Sequence, residues 1–161
     1  MTVLTTAGTP GINRFTRSQL LRTARLFATD PDLHTLIDLD AEERQWQRLD
    51  ATAHLEIWLL SWPSGARTGW HDHHDSEGAF VTARGALTET TWSADDVHDR
   101  ELDAGEGRSF GRRHIHDVAN LGALPALSVH VYSPALTRMT RYAVVGDRLE
   151  PTGVEREGED W

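Results

Sequence analysis

A chain of 161 residues is long enough for one domain with a sizeable core, and its 39% hydrophobic and 25% charged residues, with no low-complexity tract, exclude a disordered polymer. A formal charge of −9 argues against nucleic acid and anionic membranes, which need clustered Lys and Arg, and no apolar run approaches bilayer-spanning length. The absence of cysteine excludes disulfides, thiolate ligands, iron–sulfur clusters and a cysteine nucleophile, so any metal must be held through nitrogen and oxygen.

Met1 to Pro10 lacks the charged and apolar regions of a signal peptide, which predicts a cytoplasmic protein. From Arg17 to Ala28, Leu20, Leu21, Ala24 and Phe27 recur at helical spacing, with Thr16 or Ser18 able to cap the start. Pro31 opens a second short helix around Leu33, Leu36 and Ile37, ending in the acidic stretch Asp38 to Glu43. From Arg44 onward, short runs rich in Val, Ile, Trp and Thr are separated by Gly, Asp and Pro, the pattern of an antiparallel all-β fold. The clearest strands are Leu55 to Trp62, Ala79 to Ala83, Leu87 to Trp92, Leu127 to Tyr132 and Thr140 to Val145, with turns at Pro63-Ser64-Gly65 and Gly122. The acidic tail, Glu155 to Asp160, reads as a solvated end. The expectation is one domain over 1–161, with helices in about 16–40 and a sandwich or barrel over about 44–150.

Nine histidines would mean little if scattered, but His71, His73 and His74 fall within four residues. On an extended segment i and i+2 share a side, so His71 and His73 can reach one point while His74 faces away. An isolated pair of this kind is more often an exposed polar loop. Here Gly65, His71, His73 and Glu77 follow the spacing of a first cupin motif, with Gly85 one residue late. Gly105, His116 and Asn120 follow the second motif, although Gly111 and Arg113 stand where Pro and Gly are usual.

The chain resembles the thiol dioxygenases, and the cysteine dioxygenase family in particular, from about residue 44 to 135. The resemblance rests on His71-Asp72-His73-His74-Asp75-Ser76, the run to Gly85, His116 with Asn120, and Ser128-Val129-His130-Val131-Tyr132-Ser133-Pro134. It implies an all-β cupin, a double-stranded β-helix or jelly-roll barrel with short N-terminal α-helices. His71, His73 and His116 would hold Fe(2+) without a carboxylate, which removes Glu77 from the ligands. Three neutral imidazoles leave about three positions for a bidentate substrate and O2, and of the ions they would accept only a redox-active one passes electrons to oxygen.

Ser128, His130 and Tyr132 alternate along one strand and share a face; taken alone they fit an outward polar stripe as well as a buried line. The resemblance makes them the set that orients the tyrosine hydroxyl toward the substrate. Arg48, by itself an ordinary surface charge, matches the family arginine for the substrate carboxylate, beside Trp46 where a tyrosine is common. Gly78 replaces the cysteine that cross-links to the tyrosine in mammalian-type members, so Tyr132 is expected to be free. The implied activity is oxidation of L-cysteine by O2 to cysteine sulfinic acid, with Arg48 favouring cysteine over 3-mercaptopropionate. Other small thiols such as 3-mercaptopropionate or cysteamine, or a cupin that binds metal or ligand without oxidation, are the alternatives. The expected partners are a small thiol and O2, with no nucleic acid or membrane, in a monomer or small homo-oligomer.

Overall fold

The computed structural model describes residues 14–93 and 96–157. The first helix, α1 (Arg17–Ala28), starts at Thr16 through a capping box: the Gln19 amide donates to Thr16 Oγ1 at 3.3 Å, and the Thr16 amide donates to Gln19 Oε1 at 2.8 Å. The second predicted helix shortens to one 3-10 turn, Leu33–Thr35. The reason is local. The side chains of Asp30 and Asp38 each accept the amide two residues on, at 2.9 Å, which fixes turns at both ends of the segment and leaves no room for an α-helical ladder.

Among the described residues eleven strands follow: β1 (Trp46–Ala51), β2 (Glu56–Trp62), β3 (His71–Asp72), β4 (Glu77–Arg84), β5 (Ala86–Ser93), β6 (Asp96–Asp103), β7 (Gly107–Phe110), β8 (His116–Ala119), β9 (Ala126–Ser133), β10 (Arg138–Val145) and β11 (Arg148–Arg156). They form two antiparallel sheets, β1-β2-β9-β4-β7 and β11-β10-β3-β8-β5-β6. Each predicted strand is present within one or two residues. The strands not expected are short, such as β3, β7 and β8, or highly charged, such as β6 and β11 at the edges of the second sheet. Edge strands have one unpaired side that tolerates charge and proline, so β6 reads Asp-Val-His-Asp-Arg-Glu-Leu-Asp and β11 carries Pro151.

Alternation along β2, β4 and β9 divides the molecule into two cores. Ile57, Leu59, Ala79, Val81, Leu127, Val129 and Val131 face outward and are covered by Leu20 and Ala24 of α1 and by Leu33. Trp62, Phe80, Phe110 and Tyr132 face inward and meet Leu87, Leu102 and Val118 of the second sheet, with Leu136 and Met139 closing one end. The functional residues therefore sit between the sheets, while the helix covers the back of the first.

The acidic tail is not simply a solvated end. Glu155 lies on β11 and accepts a 2.8 Å hydrogen bond from Arg141 Nη2, because Glu155 is paired in register with Met139 and Arg141 lies two residues along. Residues 158–160 lie outside the described residues. Among the described residues no helix is long and apolar enough to cross a membrane.

Candidate metal centre and its pocket

Backbone register brings the three histidines together. His71 on β3 pairs with His116 on β8, and His73 follows two residues after His71. The ligating atoms of His71, His73 and His116 all lie within 4.8 Å of one another, and all three residues are buried. His71 Nδ1 is 2.9 Å from the Gly69 carbonyl oxygen and His116 Nδ1 is 2.8 Å from Glu89 Oε1, which leaves the Nε2 atom of each ring to face a common point. His73 Nδ1 is buried with no hydrogen-bond partner among the described residues. Burial, and then a neighbouring imidazole, pushes the pKa of His71 and of His73 well below the usual histidine value. Burial lowers His116 too, against the pull of Glu89. Three rings held neutral, one with an orphaned nitrogen, fit a divalent cation.

Glu77 is directed elsewhere, 4.0 Å from Arg112, and His74 pairs with exposed Asp75 at 3.1 Å. The second motif is built as its unusual residues require: Arg113 takes the left-handed conformation (φ 55°) where glycine is usual, its amide donating to the His74 carbonyl at 3.2 Å. Asn120 is a staple rather than a ligand. Its Nδ2 donates to the carbonyls of Trp62 (2.8 Å) and Leu124 (2.9 Å), and its Oδ1 accepts from Gly122 (2.9 Å).

Glu89 is not among the residues that the motifs single out. It is fully buried on β5 between His116, His114 (3.2 Å) and Arg108 (2.9 Å). Burial would raise its pKa, but the hydrogen bonds from His114 and His116 and the charge of Arg108 outweigh this and hold it below the carboxylate range. A permanently ionised carboxylate on His116 Nδ1 fixes the proton there and keeps Nε2 a lone-pair donor. The one available sign in the sequence is an acid at an inward position of a strand, flanked by Leu87 and Thr91.

The Ser128, His130 and Tyr132 line is buried on β9. Ser128 Oγ accepts the Trp62 indole N–H at 2.8 Å and lies 2.8 Å from His130 Nε2. His130 Nδ1 lies 3.3 Å from the Tyr132 hydroxyl. Burial lowers the His130 pKa to about 3, so the ring is neutral near neutral pH. With the Ser128 proton donated to Nε2, Nδ1 carries the ring hydrogen and donates to the Tyr132 oxygen. The Tyr132 proton is then free to point into the pocket, and burial raises the hydroxyl's pKa, so it stays protonated. Gly78 is pressed by the Phe110 ring and by Tyr132, whose Cδ1 would lie 3.1 Å from an added Cβ. There is no room for a side chain, and none to cross-link.

A cavity partly open to solvent leads in from outside to His71 and His116. Its lining includes His71, His116, His130 and Tyr132 at depth, Trp58, Leu60, Val118, Leu136 and Met139 on the walls, and Arg44, Trp46, Thr68 and Arg141. Of the two residues expected to bind substrate, Trp46 lines the cavity. Arg48 lies on the same face of β1, 49% exposed, with its guanidinium 3.3 Å from buried Glu56 and stacked 5.6 Å from the Trp58 ring centroid, and does not line the cavity.

Structural neighbours share this two-sheet architecture. The protein TT1209 from Thermus thermophilus is 20% identical, with a TM-score of 0.57 over 64% of this chain and 94% of its own. A cupin superfamily protein from Desulfitobacterium hafniense DCB-2 is 15% identical, TM-score 0.53, over 62% and 84%. A double-stranded β-helix protein from Klebsiella pneumoniae is 13% identical, TM-score 0.57, over 75% and 94%. At these identities the likeness concerns the fold, which is that of the cupins. No curated protein matches the chain. The family model of cysteine dioxygenase type I matches residues 25–144, from within α1 through β10 and across every histidine of the centre, and the chain therefore belongs to the cysteine dioxygenase type I family.

Proposed function

We propose that the chain is an Fe(II)-dependent thiol dioxygenase that adds both atoms of O2 to the sulfur of L-cysteine, giving cysteine sulfinic acid, and that it works in the cytoplasm. The observation that carries this reading is a buried cluster of three neutral imidazoles, two of which, His71 and His116, line a cavity that Tyr132 also lines. Fe(II) held by His71, His73 and His116 would supply open positions for thiolate and amine and a redox route by which sulfur's electrons pass to O2.

The chain's own residues account for the rest. Phe110, Leu136 and Met139 exclude water around the histidines. Tyr132, aligned by His130 and Ser128, offers its proton to whatever binds in the cavity. Arg48, which lies outside the cavity lining, would have to release Glu56 and turn past Trp46 to meet the substrate carboxylate, a bidentate match for its planar fork. The reaction balances as thiol plus O2 to sulfinic acid, with no external reductant.

The test is anaerobic iron loading, then cysteine and O2, with the product identified. Sulfinate equal to the oxygen consumed supports the reading, and its absence refutes it. His116→Ala should abolish both iron retention and product. An Arg48→Gln variant should lose preference for cysteine over 3-mercaptopropionate by about tenfold in kcat/KM; an unchanged preference would remove Arg48 from the pocket chemistry.

A further inference from the structure

Two guanidiniums meet at the cavity and neither has a place in the reaction above. Arg44, just before β1, is half-buried, with its guanidinium 5.2 Å from the Trp62 ring centroid. Among the described residues it makes no ion pair with a carboxylate, whereas Arg48 is already paired with Glu56. Arg141 on β10 stands in register with His71, and cross-strand partners project to the same face, so it points between the sheets. It is fixed there by a 3.0 Å hydrogen bond to the Thr68 carbonyl and by the 2.8 Å contact with Glu155. The charge of Arg141 reaches Arg44: burial, and after it that charge, lowers the pKa of Arg44. Among the described residues no carboxylate lines the cavity.

A desolvated cation that faces a cavity without a counter-ion is costly unless an anion fills the space. Arg44, without a counter-ion among the described residues, and Arg141, offset by Glu155 alone, leave an excess positive charge beside His71 and His116, in a chain whose overall charge is −9. A cationic thiol is repelled from this place, and a second negative group is attracted to it.

We propose that Arg44 and Arg141 form an anion subsite for a second carboxylate, so that beside L-cysteine the pocket also oxidises thiols bearing two carboxylates, and prefers them to 3-mercaptopropionate, which bears one. The proposal rests on the thiol dioxygenase reading for its chemistry. Thiol and O2 again give the sulfinic acid, both oxygen atoms joining sulfur, while the two carboxylates are unchanged.

The test has a binding arm and a turnover arm. In the first, the purified protein is titrated calorimetrically with succinate and with propionate, neither of which carries sulfur. Succinate should bind about tenfold more tightly, and Arg44→Gln and Arg141→Gln should each abolish the difference. Glu155→Gln, which removes the acid that offsets Arg141, should strengthen succinate binding about threefold, a gain no misfolded variant would give. In the second arm, the iron-loaded protein is given mercaptosuccinate, 3-mercaptopropionate and cysteine. The kcat/KM ratio of mercaptosuccinate over 3-mercaptopropionate should exceed about ten and fall toward one in Arg44→Gln. Equal binding of succinate and propionate, or a ratio unmoved by Arg44→Gln, overturns the subsite. Oxidation of cysteine without preference for mercaptosuccinate defeats the subsite and leaves the dioxygenase reading standing. Selective succinate binding with no thiol oxidised does the reverse.

Discussion

At the residue scale the centre depends on how each imidazole is held as much as on its identity. Glu89 contributes nothing to the cavity surface, yet it fixes the His116 tautomer and gathers His114 and Arg108 around itself. Replacing it with glutamine keeps the volume but loses the charge that favours a proton on Nδ1, so metal affinity should fall about 10- to 100-fold. A titration with Fe(II) or Co(II), monitored beside a circular dichroism spectrum, separates this from misfolding; native spectrum with native affinity would show that Glu89 serves only Arg108. Strand periodicity indicates which side chains of the histidine cluster and of the Ser128, His130, Tyr132 line share a face, but that these faces point to a buried centre came only from the motif and family resemblance. The partners of those residues were not legible in the sequence. Whether Arg44, Arg48 or Arg141 faces the cavity depends on where β1 and β10 end relative to the sheet, and the pairing of Arg141 with His71 joins residues far apart in the chain.

At the scale of elements, β9 does two jobs. Its odd-numbered residues, Leu127, Val129 and Val131, pack beneath α1, and its even-numbered residues, Ser128, His130 and Tyr132, face the pocket. The helix matches its expected span to the residue, because its apolar stripe and Thr16 cap are local signals. Strands of two to four residues, such as β3, β7 and β8, carry no periodicity of their own and exist because their neighbours supply hydrogen bonds. Leu20, fully buried between α1 and the sheet, tests the separation of the two faces. Leu20→Ala should cost about 2–5 kcal/mol in chemical denaturation, since it leaves a cavity on the outer face. Metal bound per folded protein should be unchanged below the new midpoint. A parallel loss of metal would mean that α1 sets the geometry of the centre through β9 and β4.

For the whole molecule the consequence of enclosing so many imidazoles between two sheets is acid sensitivity. His130 is the clearest case, fully enclosed and packed on Phe80 and Trp62. Burial is the main reason its pKa falls from 6.5 to about 3; the charges of His116 and Arg44 act in the same direction and Glu89 weakly against them. Because the folded-state value is the lower one, the unfolded chain takes up a proton first as pH falls. The stability contributed by neutral His130 is complete above about 6.5 and is lost progressively as pH falls toward about 3. Within that window each pH unit costs about 1.4 kcal/mol for this one group. His130→Gln keeps hydrogen-bonding capacity and removes the titration, so it should be less stable than the parent at neutral pH yet flatter with pH. Urea midpoints measured from pH 7 down to pH 4 would read this directly, the two curves converging on the acid side. Parallel curves would mean that a proton reaches His130 in the folded state, and with it that the Tyr132 hydroxyl is not held by a permanently neutral ring.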